Sequence, residues 1–321
     1  NSWLRPVNRM LIFAIAAVGL NLLSGVAGQV SLGHAFFMGV GASTAVLVGG
    51  ASTSRLWGWG LPMWIWLPAA GLVAAAVGVL VAPAAVRVRG LYLGIATIGL
   101  VFIGIHLSRV FPEIAGPPQL GRKWPRLELR FWKEETPLVD FSRKGHWLWF
   151  DIGNNQKTYL LLLGILVVLS LVAANLARSR TGRSWAAIRD RDVAAEIMGV
   201  HEFRAKTTAF AISSFYAGVA GALFASLSGY MYPEAWNLLL SVEMIAILLI
   251  GGMGRISGAL MGSFFVALSP RFLEESVRWA AEQAEGEGVF AGIWDFMISL
   301  GPYDFGFISV KEMAMGFPLP A

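Results

Sequence analysis

The chain has 321 residues, 56% hydrophobic and 14% charged, with a net charge of +5. Soluble domains carry about 25% charged residues, so the composition excludes a globular enzyme built around one buried core. The absence of cysteine excludes disulfides, thiolate chemistry and cysteine-held metals, and an excess of bases placed in cytoplasmic loops requires no nucleic-acid partner.

The first residues, 1–9, are short and polar. The chain begins at Asn1 rather than Met and ends in an apolar run, so both ends are expected to be incomplete, and residues 1–10 do not form a signal peptide. Residues 10–54 then contain no Asp, Glu, Lys or Arg. Forty-five residues are too many for one crossing of about 20 and enough for two. The join falls at residues 25–34 (GVAGQVSLGH), where three glycines accompany the polar cluster Gln29, Ser31 and His34. A glycine-broken, uncharged polar stretch between apolar halves predicts non-helical backbone at membrane depth, tolerated only inside protein or along a cavity. The cluster either contacts a polar solute or satisfies backbone groups that the glycines free.

Residues 56–86 are uncharged after Arg55 and open with Trp57, Trp59, Trp64 and Trp66, an interfacial pattern. Arg87 and Arg89 form a basic turn, and 90–108 gives another crossing. Residues 111–157 are the largest polar insertion, with eight bases and six acids. A 20-residue uncharged run (158–177) precedes the polar segment 178–206, and a 27-residue one (207–233) follows it. That segment holds seven bases and four acids, and a basic excess marks the cytoplasmic side. On a helical wheel Ala187, Ile188, Ala194, Ala195 and Met198 share one face, with Arg189, Asp192 and Glu196 opposite. Arg189 and Asp192 stand at i, i+3, a weakly stabilising spacing, and Gly199 is placed to end the helix. Such a helix either enters a groove of a soluble partner or lies on lipid headgroups.

The remaining apolar stretch, 235–254, carries Glu243, and 256–270 is short for a span. Eight segments are therefore expected, at about 10–27, 34–50, 62–84, 90–108, 158–177, 207–228, 238–253 and 256–271, with another beginning near Met313. The fold expected is an all-α polytopic bundle of eight to ten membrane segments, some broken or short, forming a single domain over 1–321. Alternation places Arg87, Arg89, 178–206 and Arg255 inside, with 111–157, the acidic 271–288 and Asn1 outside. A helix before residue 1 would return the terminus to the cytoplasm.

A Walker-type GxxxxGK[ST] loop is missing. His34, His106, His146 and His201 make no metal pair at helical spacing, and no nucleophile–base constellation is visible. The chain is expected not to be an enzyme. Glu243 either lies in a pathway or is structural, bonded to Ser241 or to a neighbouring helix. Gly218 with Gly221, and Gly251, Gly252, Gly254, Gly258 and Gly262, are expected to form close-packing faces.

GLNLLSGVAGQVSLGHAFFMGVGA (19–42), RVRGLYLGIATIGL (87–100), RSRTGRSWAAIRDRDVAAEIMGV (178–200), KTTAFAISSFYAGVAGAL (206–223) and SVEMIAILLIGGMGRISGALMGS (241–263) together resemble branched-chain amino acid ABC importer permeases. The blocks are ordered and cover nearly the whole chain, and the chain looks like the longer of the two permease subunits. The resemblance implies a bacterial inner-membrane protein that forms half of an inward pathway for a small polar solute, foremost branched-chain amino acids. It implies a second permease subunit, two ATPase subunits holding ATP and Mg, an external solute-binding protein, and no cofactor in this chain. Family docking of the ATPase carries over to Gly182, Arg189, Asp192, Ala195, Glu196 and Gly199; the wheel adds Ala194 and Met198. Gln29, Ser31, His34 and Glu243 are the candidates for the solute pathway. The external loop departs from the family in having AGPPQLGRKWPRLEL where a glycine-rich stretch is usual. Related permeases move urea and short amides, so that importer class stays open. An ion-coupled secondary transporter using Glu243 also stays open.

Overall fold

The computed structural model of the chain describes residues 3–50, 52, 57–88, 90–112, 122–124, 127–129, 139–140, 145–147, 150–152 and 154–284. Arg89, Glu285, Glu287, the segment expected near Met313 and much of the 111–157 insertion lie outside the described residues. The chain divides into two compact units, Asn1–Ala267 and Leu268–Ala321.

The helices are α1 (Leu4–Leu20), α2 (His34–Gly49), α3 (Met63–Arg87), α4 (Leu91–Val110), α5 (Asn154–Arg178), α6 (Arg180–Ile197), α7 (Glu202–Ser228), α8 (Leu238–Gly251) and α9 (Ile256–Ala284). Among the described residues six stretches are long and apolar enough to cross a membrane: Leu4–Val26, Met63–Ala84, Tyr92–Val110, Asn155–Arg178, Glu202–Ser228 and Ile256–Trp279. With the shorter apolar helices His34–Gly49 and Leu238–Gly251 they make up the eight expected segments. Several boundaries differ from expectation, among them the start of α7 at Glu202 rather than 207. The first helix begins at Leu4, so Arg5 and Arg9 sit within it. The last continues beyond Pro270 to Ala284, and there Arg271 pairs with Glu274 and Glu275 along the helix at 3.4 and 3.3 Å. Charge ends a hydropathy window without ending a helix.

Between helices there is little hydrophobic driving force inside a bilayer, so association depends on close fit through small residues. The centre of the first unit is α7, which packs on α1, α2 and α3. A Cβ on Gly221 would lie 2.0 Å from the Met38 carbonyl oxygen, and one on Gly41 would lie 2.2 Å from that of Gly218. Gly218 in turn faces Ala74 of α3 at 2.5 Å by the same measure. Phe13 of α1 stacks on Phe224 of α7 at 5.7 Å, and the Tyr216 hydroxyl donates to the Leu169 carbonyl of α5 at 2.8 Å. The expected face around Gly251 is also tight: Cβ atoms on Gly251 and Gly262 would meet the carbonyls of Gly258 and Ile247 at 1.9 Å.

Short strand pairs accompany the helices: β1 (Arg122–Lys123) with β6 (Tyr230–Met231), β2 (Glu128–Leu129) with β3 (Val139–Asp140), and β4 (Gly145–Trp147) with β5 (Phe150–Ile152). The first pair ties the start of the polar insertion to the link after α7. Trp124 N–H donates to the Gly229 carbonyl at 2.9 Å, and its ring meets Trp66 edge-on at 6.2 Å.

Candidate functional site

The break predicted at residues 25–34 is present. After α1 the chain widens into a π-helical turn, Asn21–Val26, and residues 27–33 are not helical. Neighbours along α8 show where this stretch runs. Near its start the Gly25 backbone abuts Gly254, just past the end of α8. Past its end, the Ala35 N–H donates to Ser241 Oγ near the start of α8 at 3.0 Å. Ser241 and Gly251 are about 15 Å apart at 1.5 Å per helical residue. The stretch therefore climbs through the bundle interior. Its 16-residue successor α2 starts part-way up and is about 24 Å long, short of the ~30 Å hydrocarbon thickness.

Irregular backbone inside a bundle needs partners for its polar groups. Leu32 N–H donates to Thr97 Oγ1 of α4 at 2.9 Å. Ser24 Oγ donates to the Gln29 carbonyl at 2.9 Å, and Ser31 Oγ accepts Gly33 N–H at 3.4 Å. His34 Nε2 donates to the Ala16 carbonyl at 3.0 Å. Ser31 and His34 are thus buried and engaged with backbone. Gln29 differs: its residue is 6% exposed, and neither amide atom has a hydrogen-bond partner among the described residues. A buried amide without partners costs about 1–3 kcal/mol, so Gln29 is the residue of the cluster with unused hydrogen-bonding capacity. Asn21 also contributes: its Oδ1 accepts Gly254 N–H at 2.8 Å. The sequence offered Asn21 and Thr97 only as lone polar groups in apolar runs, and neither was singled out.

Glu243 is bonded to Arg9 of α1 at 3.3 Å, not to Ser241. The Arg9 guanidinium also lies 4.8 Å from the Phe13 ring centre. Ser241 is fully buried and holds Ala35 instead.

The polar segment begins well capped. Ser179 Oγ accepts Gly182 N–H at 3.4 Å, and a Cβ on Gly182 would stand 2.1 Å from the Ala177 carbonyl oxygen. Trp185 is buried and its Nε1–H donates to Thr208 Oγ1 at 3.2 Å. The expectation of one continuous amphipathic helix is corrected here. Arg191 has φ −156° and ψ 100°, so helical backbone is broken at that residue. Nor is the expected common face uniform in burial: Ile188 and Ala195 are buried, whereas Ala194 is exposed and Met198 is 84% exposed. Ile197, at 81%, joins Met198 and exposed Val193 in an apolar knob. Asp192 Oδ1 accepts Val193 N–H at 2.9 Å as the second half begins. Arg189 is engaged by its neighbour in sequence and by the broken stretch. Its Nε lies 3.2 Å from Asp190 Oδ1, and a terminal nitrogen donates to the Gly25 carbonyl at 2.9 Å. Glu196 is exposed and its carbonyl accepts Gly199 N–H at 2.9 Å. Gly199 ends the helix at φ +85°, as its position required.

Among the described residues no cluster of three or more His, Asp or Glu is arranged to hold a metal.

A bundle of membrane-length helices around an irregular polar stretch, with a polar helical segment at one end, is that of a polytopic transport subunit. The description "branched-chain amino acid transport system / permease component" matches residues 4–294, and the chain belongs to that family. It is a multi-pass protein of the bacterial inner membrane, and the family is one of permease components of ABC transporters. Over 293 residues it is 33% identical to the high-affinity branched-chain amino acid transport system permease protein LivM of Escherichia coli K12, covering 88% of this chain and 66% of that protein. The LivM protein of Salmonella typhimurium is 32% identical over the same extent. The chain thus spans just under two thirds of the length of these relatives. A shorter similarity, 34% over 110 residues and 32% of each chain, relates it to the autoinducer 2 import system permease protein LsrC of Enterobacter sp. strain 638. No solved structure matches.

Proposed function

We propose that the chain is one of the two membrane subunits of an ABC importer and moves branched-chain amino acids inward. The second permease subunit completes the pathway, two ATPase subunits bind ATP with Mg, and an external solute-binding protein delivers the amino acid. The observation that carries the reading is the similarity over 88% of the chain to permeases named for that transport. Residues 178–206 act as the ATPase-coupling loop. Gly182 and Ala195 seat it on the bundle, while Ala194, Glu196 and Met198 present the outer half to the ATPase. Asp192 and Gly199 bound that half. The 111–157 insertion lies outside and faces the binding protein.

Gln29, Ser31 and His34 border the pathway, with Gln29 the residue that offers hydrogen bonds to a passing zwitterion. Glu243, paired to Arg9, holds α8 to α1. An ion pair already satisfied by a fixed arginine favours this role over proton carriage.

The test is purification of the tagged chain from its native membrane, followed by uptake in proteoliposomes with the cognate binding protein. An ATPase should co-purify, and leucine, isoleucine or valine uptake should follow ATP. Uptake that follows a proton gradient without ATP would overturn the assignment. ATP-driven uptake of urea or a short amide alone would overturn the solute class.

A further inference from the structure

We propose that Arg189 is a positioning residue through which movement of α6 reaches the broken stretch. This rests on the reading of residues 178–206 as the ATPase contact. That reading places Arg189 on the ATPase-docking segment. The geometry points the other way. The guanidinium donates to Gly25 O at 2.9 Å, at the C-terminal end of the π-helical turn. Carbonyls there have lost their helical partners and carry partial negative charge, which favours a cation. The aliphatic stem packs on Gly28, where a Cβ would stand 2.3 Å from Arg189 Cγ. Gly28 itself has φ +68°, a conformation that suits glycine.

A third element meets the same point. Gly254, at φ +88° in the turn between α8 and α9, donates to Asn21 Oδ1 at 2.8 Å. A Cβ on Gly25 would lie 2.4 Å from Gly254 N, so no side chain separates the π-turn from that turn. Arg189 thus grips the start of the broken stretch where it is already wedged against the α8–α9 turn.

Two residues further on, Arg191 breaks the helix. The first half of α6 is fixed to the bundle through Trp185 and Ile188, and the second carries the exposed Val193, Ile197 and Met198. Arg189 stands two residues before the break and reaches Gly25 and Gly28. A push on the outer half that is carried across Arg191 into the first half reaches Gly25 and Gly28 through Arg189, by one hydrogen bond and one close packing contact. Small shifts at such a junction are amplified where packing has discrete arrangements.

Hydrogen exchange on the intact four-subunit complex in lipid nanodiscs tests this. Peptides covering residues 21–34 are compared between nucleotide-free and vanadate-trapped complexes. In the unaltered chain, trapping should change the exchange rate of residues 27–33 at least threefold. Arg189→Ala should retain its ATPase subunits and lose that change. Arg189→Lys, which keeps a cation near the carbonyl but not the fork, should keep part of it and serves if the alanine variant fails to accumulate. A purely local brace would alter exchange equally in both states. Equal response of Arg189→Ala and the unaltered chain to trapping overturns the inference, as does an unaltered chain that does not respond. Loss of ATPase subunits from Arg189→Ala makes it a docking contact and overturns the inference alone. An unaltered chain that binds no ATPase overturns the functional reading and this inference with it.

Discussion

Gly221→Ala tests how tightly the bundle is built. The added Cβ would lie 2.0 Å from the Met38 carbonyl oxygen, where ordinary contact begins at 3.4 Å. Relief therefore requires α7 and α2 to part by about 1.4 Å, and the obstacle is backbone, which cannot rotate away. The same crossing holds Gly41 against the Gly218 carbonyl at 2.2 Å, so movement at one glycine loosens the other. Overpacking a close-fitted core costs about 1–3 kcal/mol. For domains of 150–250 residues that corresponds to a fall in Tm of roughly 2–12 °C. The assay is thermal unfolding of the purified protein in detergent, read by intrinsic fluorescence or by size-exclusion after heating. Gly99→Ala and Gly164→Ala are the controls, since nothing lies within 4 Å of a Cβ at either. These should stay within about 1 °C or rise slightly, alanine being the better helix former. A Gly221→Ala protein as stable as the controls would refute the close approach of α7 and α2.

Three further outcomes follow from the site. Glu243→Gln should preserve uptake, because the amide still accepts from Arg9, while Glu243→Leu leaves that guanidinium unpartnered and should lower the yield of assembled complex; abolished uptake in Glu243→Gln with normal assembly would restore a protonation role. Cysteine at Gln29 or Ser31, the only thiol in an otherwise cysteine-free chain, should react with small water-soluble thiol reagents more in one transport state than in another; no reaction in any state would make the stretch packed core. Met198→Asp should weaken ATPase stimulation by loaded binding protein by about 1–3 kcal/mol of coupling, and Gly199→Val should add backbone strain of about 1–2 kcal/mol at φ +85°; normal stimulation in both would remove the outer half of α6 from the ATPase contact.

The helices were legible because membrane length and apolarity are sums over some 20 residues, and a sum forgives individual errors. The break at residues 25–34 was legible for a related reason: three glycines and no charge between apolar halves leave few alternatives. Partners were not. Arg9 and Glu243 are 234 positions apart, and Arg189 and Gly25 are 164 apart, so no local pattern records either bond. The wheel joined Ala187 and Ile188 to Ala194, Ala195 and Met198 because it assumed continuous helix, and the broken backbone at Arg191 parts the two groups. Gly218 and Gly221 were read as a packing face from spacing alone, and spacing is what two crossing helices require.

The spans differ in how far the rest of the chain encloses them. In α1 and its π-turn 78% of the apolar window is buried, and in α7 67%, against 17% in α5 and 22% in α4. The enclosed helices must match a shape; the outlying ones need only match a solvent. Along α5, exchange of Val168 for leucine or of Leu171 for isoleucine changes little that lipid can sense. Along α7, a single methyl group at Gly221 is a structural event. Tolerance to substitution should therefore fall from the rim of this bundle to its axis, as it falls from surface to core in a soluble domain, but here both ends of the scale are written in the same apolar letters.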